Sequence, residues 1–371
     1  MSPALSVLVP LVLYNIGFLL YLGHFRYKKG LIYFHQSNNY VGCCIFLCLL
    51  INVFATYDGD WWHYKDIIAE LYINPTTISH LEPVHLFIVK YLSFGENLIW
   101  RFIIWSICLL FTYLSFRKLN INNLLTWTCY IVFFALYFYS TGRVSVAIAI
   151  QFYGYTCIIA GTKKIRSKLY GIFWIIISLF FHKTAFLTII PIVASFFPLK
   201  KWQFIMCFMG LPFAIILFRK YLILFILAGE ASDGMMRYLD KGQSAEGIGS
   251  QIMTILFNFA VSGVYIISVI RLYFRKLSTP YYIHLLFRYV TFILLEYFVV
   301  YGALTAAGIG STAISARILP MALLPLVIIY AYLWTKRRWS FALFFFGLLG
   351  IIAINYRLLY AYYLYSLGTG I

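Results

Sequence analysis

Charged residues are scarce in this chain of 371 residues. Only 11% are Asp, Glu, Lys or Arg, whereas a typical soluble domain has about 25%. This scarcity excludes an ordinary soluble enzyme and a disordered chain. The seven cysteines show no CxxC spacing, so we interpret them as small apolar packing residues and not as a zinc site or a disulfide framework. The sequence also lacks the GxGxxG, Walker A, HExxH and GxSxG motifs, which leaves nucleotide-driven transport and soluble-type hydrolysis without support.

Long hydrophobic runs dominate instead, because 63% of the residues are hydrophobic. A membrane-spanning helix needs roughly 20 apolar residues. The sequence therefore predicts an all-α, polytopic membrane protein with about twelve spans and a single transmembrane domain over residues 1–371. The start of the chain has no basic segment and no small-residue cleavage site, so we interpret it as a retained first span. The twelve predicted spans are 3–22, 40–56, 98–116, 122–139, 144–161, 169–181, 184–198, 202–218, 251–270, 281–301, 316–335 and 339–355.

Two of these apolar runs, and one further run, are unusual in length. The runs at 169–181 and 184–198 are short for a bilayer, which predicts local thinning or a longer bent helix. A further run at 83–93 is too short to cross at all, and we interpret it as re-entrant or interfacial.

Basic residues follow every second predicted span. Cytoplasmic loops of membrane proteins collect Lys and Arg, so this alternation puts those loops in the cytoplasm and both termini outside. It also explains the net charge of +18 without a nucleic-acid partner. The six clusters are Arg26/Lys28/Lys29, Arg117/Lys118, Lys163/Lys164/Arg166/Lys168, Lys200/Lys201, Arg271/Arg275/Lys276 and Lys336/Arg337/Arg338.

The eleven acidic residues all lie on or near the opposite side of this predicted topology. Most of them fall in two predicted external loops, 57–97 and 229–250. Acidic residues contribute little to membrane topology, so this bias is consistent with a function at the external face.

Ionisable groups at the predicted outer ends of spans are candidates for function, because such groups are costly in a membrane. Asp58, His182 and Glu82 are the candidate general bases, in that order of preference. Arg143 and Arg317 open two spans, and arginine forks bind phosphate through paired hydrogen bonds. The alternative for each arginine is that it snorkels to lipid headgroups.

Aromatic residues cluster beside Asp58. Sugars stack on such rings, although aromatic belts at membrane interfaces are also common. The histidines and their neighbours do not indicate a metal site. The candidate carboxylates, histidine and arginines together suit transfer from a phosphate-activated lipid to a hydroxyl acceptor at the outer leaflet. The aromatic cluster beside Asp58 and Asp60 contains Tyr57, Trp61, Trp62 and Tyr64.

The order of several short motifs resembles the EpsG family, whose members are polytopic bacterial proteins related to Wzy-type polysaccharide polymerases. The resemblance covers residues 1–200 well and the rest weakly. A Gln that usually follows the membrane arginine is replaced by Val144, and Met236-Arg237-Tyr238-Leu239 and Ala316-Arg317 are less specific matches. The motifs are Tyr57-Asp58-x-Asp60-x-x-x-Tyr64, Glu82-Pro83, Gly142-Arg143-x-x-x-Ala147-x-Ala149-Ile150 and Phe181-His182-Lys183-Thr184-Ala185.

The resemblance implies a GT-C-like membrane glycosyltransferase in the bacterial inner membrane. Such a polymerase transfers a growing glycan from undecaprenyl diphosphate to a lipid-linked repeat unit at the periplasmic face. No cofactor and no metal is expected, because lipid diphosphate is the leaving group. The expected partners are the lipid-linked oligosaccharide and membrane lipids, with a chain-length regulator protein as a further candidate. Arg143, Arg317 and Arg237 are the expected diphosphate ligands, and Tyr57, Asp60 and Tyr64 are expected near the sugar.

Two alternatives stay open on the sequence alone. A chain with twelve spans and a cationic cavity also suits a flippase for lipid-linked oligosaccharides, although paired broken helices in matching halves are not visible. A membrane acyltransferase acting on surface sugars is the second alternative. The sequence does not distinguish O-antigen, capsule and exopolysaccharide as products.

Overall fold

The structure is a computed structural model of the whole chain. It describes residues 3–26, 38–54, 59–74, 82–133, 142–161, 164–227, 263–274, 279–306 and 312–335, and single positions between 345 and 363. These segments are helical and contain no strand, in agreement with the predicted all-α class.

Fourteen helices are defined in the described segments. A π-helical turn (Ile88–Leu92) follows α4, a 3-10 turn (Lys183–Thr188) precedes α9, and a π-helical turn (Ile270–Phe274) ends α12. The helices are α1 (Pro3–Arg26), α2 (Asn38–Phe54), α3 (Gly59–Ile73), α4 (Pro83–Phe87), α5 (Asn97–Lys118), α6 (Leu124–Phe133), α7 (Gly142–Ala160), α8 (Ile165–Phe181), α9 (Ile189–Ser195), α10 (Lys201–Met209), α11 (Leu211–Leu227), α12 (Gly263–Leu272), α13 (Tyr281–Ala306) and α14 (Thr312–Thr335).

Three stretches of the described helices are long and apolar enough to cross a membrane, namely Asn97–Lys118, Gly142–Ala160 and Tyr281–Ala303. Six shorter apolar helices accompany them. The chain is therefore a membrane protein, whereas the count of twelve spans stays a prediction.

The short runs predicted at 169–181 and 184–198 form a broken helix. The backbone leaves the helical conformation at His182, whose φ and ψ are −163° and 131°, and resumes as the 3-10 turn and α9. The predicted external connection 57–97 also differs from a simple loop, because it contains α3, α4 and the π-helical turn.

Helix α7 lies at the centre of the core and is buried along most of its length. It packs against α5 and α8. The crossing with α8 is close because Gly154 and Gly171 face each other. A Cβ atom on Gly154 would lie 2.6 Å from the Gly171 carbonyl oxygen, nearer than real Cβ atoms come. This crossing requires glycine on both helices, and it joins α7 and α8 into a tight hairpin.

The hairpin places the beginning of α7 and the end of α8 at the same level. Helix α7 begins at Gly142, and α8 ends at Phe181 after a short connection through 161–164. The beginning of α4 packs near the end of α8. The residues at these three helix ends form the candidate site.

Candidate functional site

Glu82 and Arg143 form an ion pair at the ends of two helices. Glu82 is the N-cap residue of α4, and its carbonyl oxygen accepts hydrogen bonds from the backbone N–H groups of His85 and Leu86. Arg143 is the second residue of α7, and its Nη1 donates to Glu82 Oε2 over 2.9 Å. The Glu82 side chain is 6% exposed and the Arg143 side chain is 17% exposed. The pair is thus largely withdrawn from solvent. A hydrogen bond between two charged groups is stronger than one between neutral groups.

His182 is the third member of the cluster. Its Nδ1 accepts a hydrogen bond of 3.1 Å from the backbone N–H of Thr184, and it lies 2.7 Å from Thr184 Oγ1. A backbone N–H can only donate, so Nδ1 carries no proton in this arrangement and the imidazole proton lies on Nε2. Nε2 is 3.8 Å from Glu82 Oε1. The carboxylate of Glu82 therefore faces a guanidinium on one oxygen and an imidazole N–H on the other.

The three side chains offer two kinds of chemistry. Arg143 has the planar fork that suits phosphate, and the carboxylate of Glu82 is a group that can accept a proton.

His85 links the Glu82 helix to the His182 turn, a role that sequence analysis missed. Its Nε2 donates to the carbonyl oxygen of Phe181 over 2.8 Å. Helix α4 and its π-helical turn are too short to cross a membrane. Burial, and secondarily the charge of Arg143, lower the pKa of His85 to about 3. His85 is therefore neutral at physiological pH. The available signal was its spacing, because it follows Glu82-Pro83 within the first helical turn.

Gln151 makes a second link that sequence analysis missed. Its Nε2 donates to the carbonyl oxygen of Ala185 over 2.7 Å, and its Oε1 accepts from the hydroxyl of Thr188. The signal in the sequence was an amide inside an apolar span, two helical turns after Arg143.

The structure describes the other predicted site residues only in part. Asp58, Tyr57 and Arg237 lie outside the described residues. Asp60 and Tyr64 lie on α3, where the backbone is described.

Arg317 differs from its predicted place at a helix start. Helix α14 begins at Thr312, so the arginine lies in the second turn. The structure describes the backbone at this position.

The described parts of the chain contain no group of three or more His, Cys, Asp or Glu side chains that could hold a metal ion. The Glu82–Arg143–His182 cluster itself has two potential ligand side chains, and its guanidinium occupies one carboxylate oxygen.

No curated protein and no solved structure matches the chain. A model of the EpsG family matches residues 12–367, which is nearly the whole length. The match extends well beyond the first 200 residues, where the motifs are most specific, and covers α13 and α14 as well. The chain therefore belongs to the EpsG family, a family of Wzy-like polysaccharide polymerases.

Proposed function

We propose that the chain transfers a growing glycan from undecaprenyl diphosphate to the terminal sugar of a second lipid-linked repeat unit. The reaction takes place at the external face of the bacterial inner membrane, in a GT-C-like fold. Its product is a surface polysaccharide of the O-antigen, capsule or exopolysaccharide kind. Membership of the EpsG family supports the general activity, and the Glu82–Arg143–His182 cluster supports the mechanism.

The chemistry is a substitution at the anomeric carbon of the donor glycan. A hydroxyl oxygen of the acceptor sugar forms a bond to this carbon, and the bond from the carbon to the diphosphate oxygen breaks. The lipid diphosphate departs with the electron pair, and a base takes the hydroxyl proton. No nucleotide sugar is consumed, since the lipid diphosphate is already activated. Arginine side chains supply the positive charge that the leaving group needs, so the proposal requires no bound metal.

Glu82 is the base that the described cluster favours. His182 already carries a proton on Nε2, and its Nδ1 caps the 3-10 turn. His182 therefore orients the carboxylate instead of accepting a proton from the sugar. Asp58 is the competing base from the sequence, and substitution of each residue decides between them.

Arg143 exchanges partners during this cycle. In the structure it pairs with Glu82. A diphosphate attracts the guanidinium more strongly, because it carries more negative charge. When Arg143 turns toward the donor, the Glu82 carboxylate is released to accept the hydroxyl proton. Arg317 and Arg237 are the further proposed ligands of the diphosphate. Tyr57, Asp60 and Tyr64 are proposed to hold the sugar.

One observation carries this proposal: Glu82, Arg143 and His182, which come from three separate motifs, meet at adjoining helix ends with contacts of 2.9 and 3.8 Å. A carboxylate can accept the hydroxyl proton of the acceptor sugar, and a guanidinium can stabilise the departing diphosphate.

The decisive experiment uses purified full-length protein in liposomes with a purified lipid-linked repeat unit. We expect a ladder of lipid-linked polymer without added nucleotide, metal or acyl donor. Movement of the repeat unit across the bilayer without polymer would instead establish a flippase. A product that forms only with an acyl donor would establish an acyltransferase. A chain-length regulator, when added to the same liposomes, should change the length distribution of the polymer. Polymer formation should still require the enzyme.

A further inference from the structure

We infer that His85 and Gln151 are positioning residues, which hold the His182 turn in register with Glu82 and Arg143. The His182 turn consists of residues 181–188. This inference rests on the proposed function of the Glu82–Arg143–His182 cluster. The two side chains act through the backbone of the turn, and each comes from an element that also carries a member of the cluster.

His85 ties the beginning of the turn to the element of Glu82. It lies in α4, directly behind the N-cap Glu82, and its Nε2–H bonds to the carbonyl of Phe181, the residue before His182. The imidazole is 1% exposed and stands edge-on to the Phe181 ring, with the Trp100 ring on another side. A carbonyl oxygen only accepts, so the His85 proton must lie on Nε2. The bond thus sets the distance between the Glu82 and His182 backbones.

Gln151 ties the rest of the turn to the element of Arg143. It is 1% exposed in the interior of α7, and it contacts both Ala185 and Thr188, which are fully buried. The Thr188 hydroxyl also lies 2.9 Å from the carbonyl oxygen of Ala185, so its single proton is shared between this oxygen and Gln151 Oε1. One amide therefore contacts a backbone carbonyl and a side-chain hydroxyl of the turn. Without it, these two buried polar groups would lose one hydrogen-bond partner each, which is costly.

The break in the helix at His182 explains why the hydrogen bonds of His85 and Gln151 matter. The residue is in an extended conformation, and its ring caps the next turn through Thr184. An uninterrupted helix would carry its own hydrogen bonds, but this turn depends on side chains from outside it. A shift of about 1 Å in a reacting or orienting group typically costs a factor of about 100 in rate. The two ties therefore set the geometry of the cluster without contacting substrate.

Conservative variants separate a positioning role from simple core packing. His85→Leu removes the bond to Phe181, and Thr188→Val removes one of the two bonds of Gln151. Both should lower kcat about 10- to 100-fold while KM for the lipid-linked donor changes little. His85→Gln keeps an N–H donor for Phe181, and Thr188→Ser keeps the hydroxyl for Gln151, so both should retain most of the activity. Tyr155→Phe is the matched control. It removes hydrogen bonds to Ser195 and Leu285 from the same helix, but these do not hold the turn, so kcat should be unchanged.

A spectroscopic signal tests the inference even if the protein makes no polymer. Nitrogen NMR of protein labelled with ¹⁵N-histidine reports which imidazole nitrogen carries the proton, and His182→Asn identifies the His182 signal. We expect His182 to be protonated on Nε2 in the wild type, His85→Gln, Thr188→Ser and Tyr155→Phe. The signal should change in His85→Leu and Thr188→Val. An unchanged His182 signal in those two variants would overturn the inference. Absence of polymer from the wild type would instead overturn only the proposed function.

Discussion

The guanidinium of Arg143 lies 2.9 Å from a carboxylate oxygen of Glu82, although 61 positions separate the two residues in the chain. Neither side chain needs a long reach, because each stands at the start of a helix. A pair of this kind, largely withdrawn from solvent, is costly to break on one side only. Under the proposed mechanism, Arg143 exchanges this contact for one to the diphosphate when the donor binds.

Arg143→Lys and Arg317→Lys should each lose most polymerase activity while the protein still inserts and folds. Lysine keeps the charge but not the planar fork that grips a diphosphate. Polymer yield in liposomes at matched protein amount measures the effect. Arg117→Lys is the control, because Arg117 is exposed at the far end of α5. Snorkelling arginines tolerate lysine, so normal polymer from both variants would assign Arg143 and Arg317 to membrane anchoring.

Glu82→Gln should lower the rate by about 10² to 10⁴, the usual range for loss of a general base. Asp58→Asn tests the competing base in the same assay. Glu96→Gln is a matched control, since Glu96 is also a helix N-cap residue without a side-chain cap bond but is exposed. If Glu82→Gln kept full turnover and Asp58→Asn did not, the base would be Asp58.

A double-mutant cycle with Glu82→Gln and Arg143→Gln tests the ion pair directly. Each single change already removes the interaction between these two charges, so the double variant should be more stable than the sum of the two effects predicts. Thermal unfolding in detergent measures the coupling. Additive losses of stability would show that the two charges do not interact in the resting protein.

Acidification should destabilise the protein through His85. Burial holds the pKa of His85 at about 3, whereas an unfolded histidine has a pKa near 6.5. Between these two pH values, the His85 imidazole binds a proton in the unfolded chain but not in the folded protein. The free energy of unfolding therefore falls as the pH drops below about 6.5. His85→Gln should remove this part of the pH dependence. The difference in unfolding temperature between pH 7 and pH 5 measures it, and an equal difference in both proteins would contradict the assignment.

Gly154→Ala should destabilise the α7–α8 hairpin, because the added Cβ would lie 2.6 Å from the Gly171 carbonyl oxygen. Gly42→Ala is the matched control in another helix, where no atom lies within 4 Å of the added Cβ. Ala has the higher helix propensity, so the control should be neutral or slightly stabilising. Unfolding temperature in detergent compares the two. Equal behaviour would show that the helices separate easily at this crossing.

The sequence predicted the kind of fold and the members of the cluster better than their contacts. Apolar runs predicted the helices. Glu82, Arg143 and His182 were chosen as candidates because they lie at or near the predicted outer ends of membrane spans. The pairing of Glu82 with Arg143 was not predictable, because it depends on how α4 approaches α7 in three dimensions. The bonds of His85 and Gln151 were missed for the same reason, since they join segments that are distant in the chain, and two of their three partners are backbone carbonyls that carry no residue-specific signal.

The start of α14 near Arg317 shows a second limit of prediction from sequence. The apolar run suggested that the helix starts next to this arginine, but α14 begins at Thr312. Small and polar residues before Arg317 extend the helix by more than a turn. Hydropathy marks the apolar part of a helix, whereas backbone hydrogen bonding determines its end.

The close crossing of Gly154 and Gly171 has a mechanical consequence. It holds α7 and α8 together, so helix packing sets the spacing between Arg143 at the start of α7 and His182 after the end of α8. Glu82 enters from a separate short element that is held to this hairpin by the Arg143 ion pair and the His85 bond. A movement of Glu82 away from the hairpin would therefore have to break both of these polar contacts.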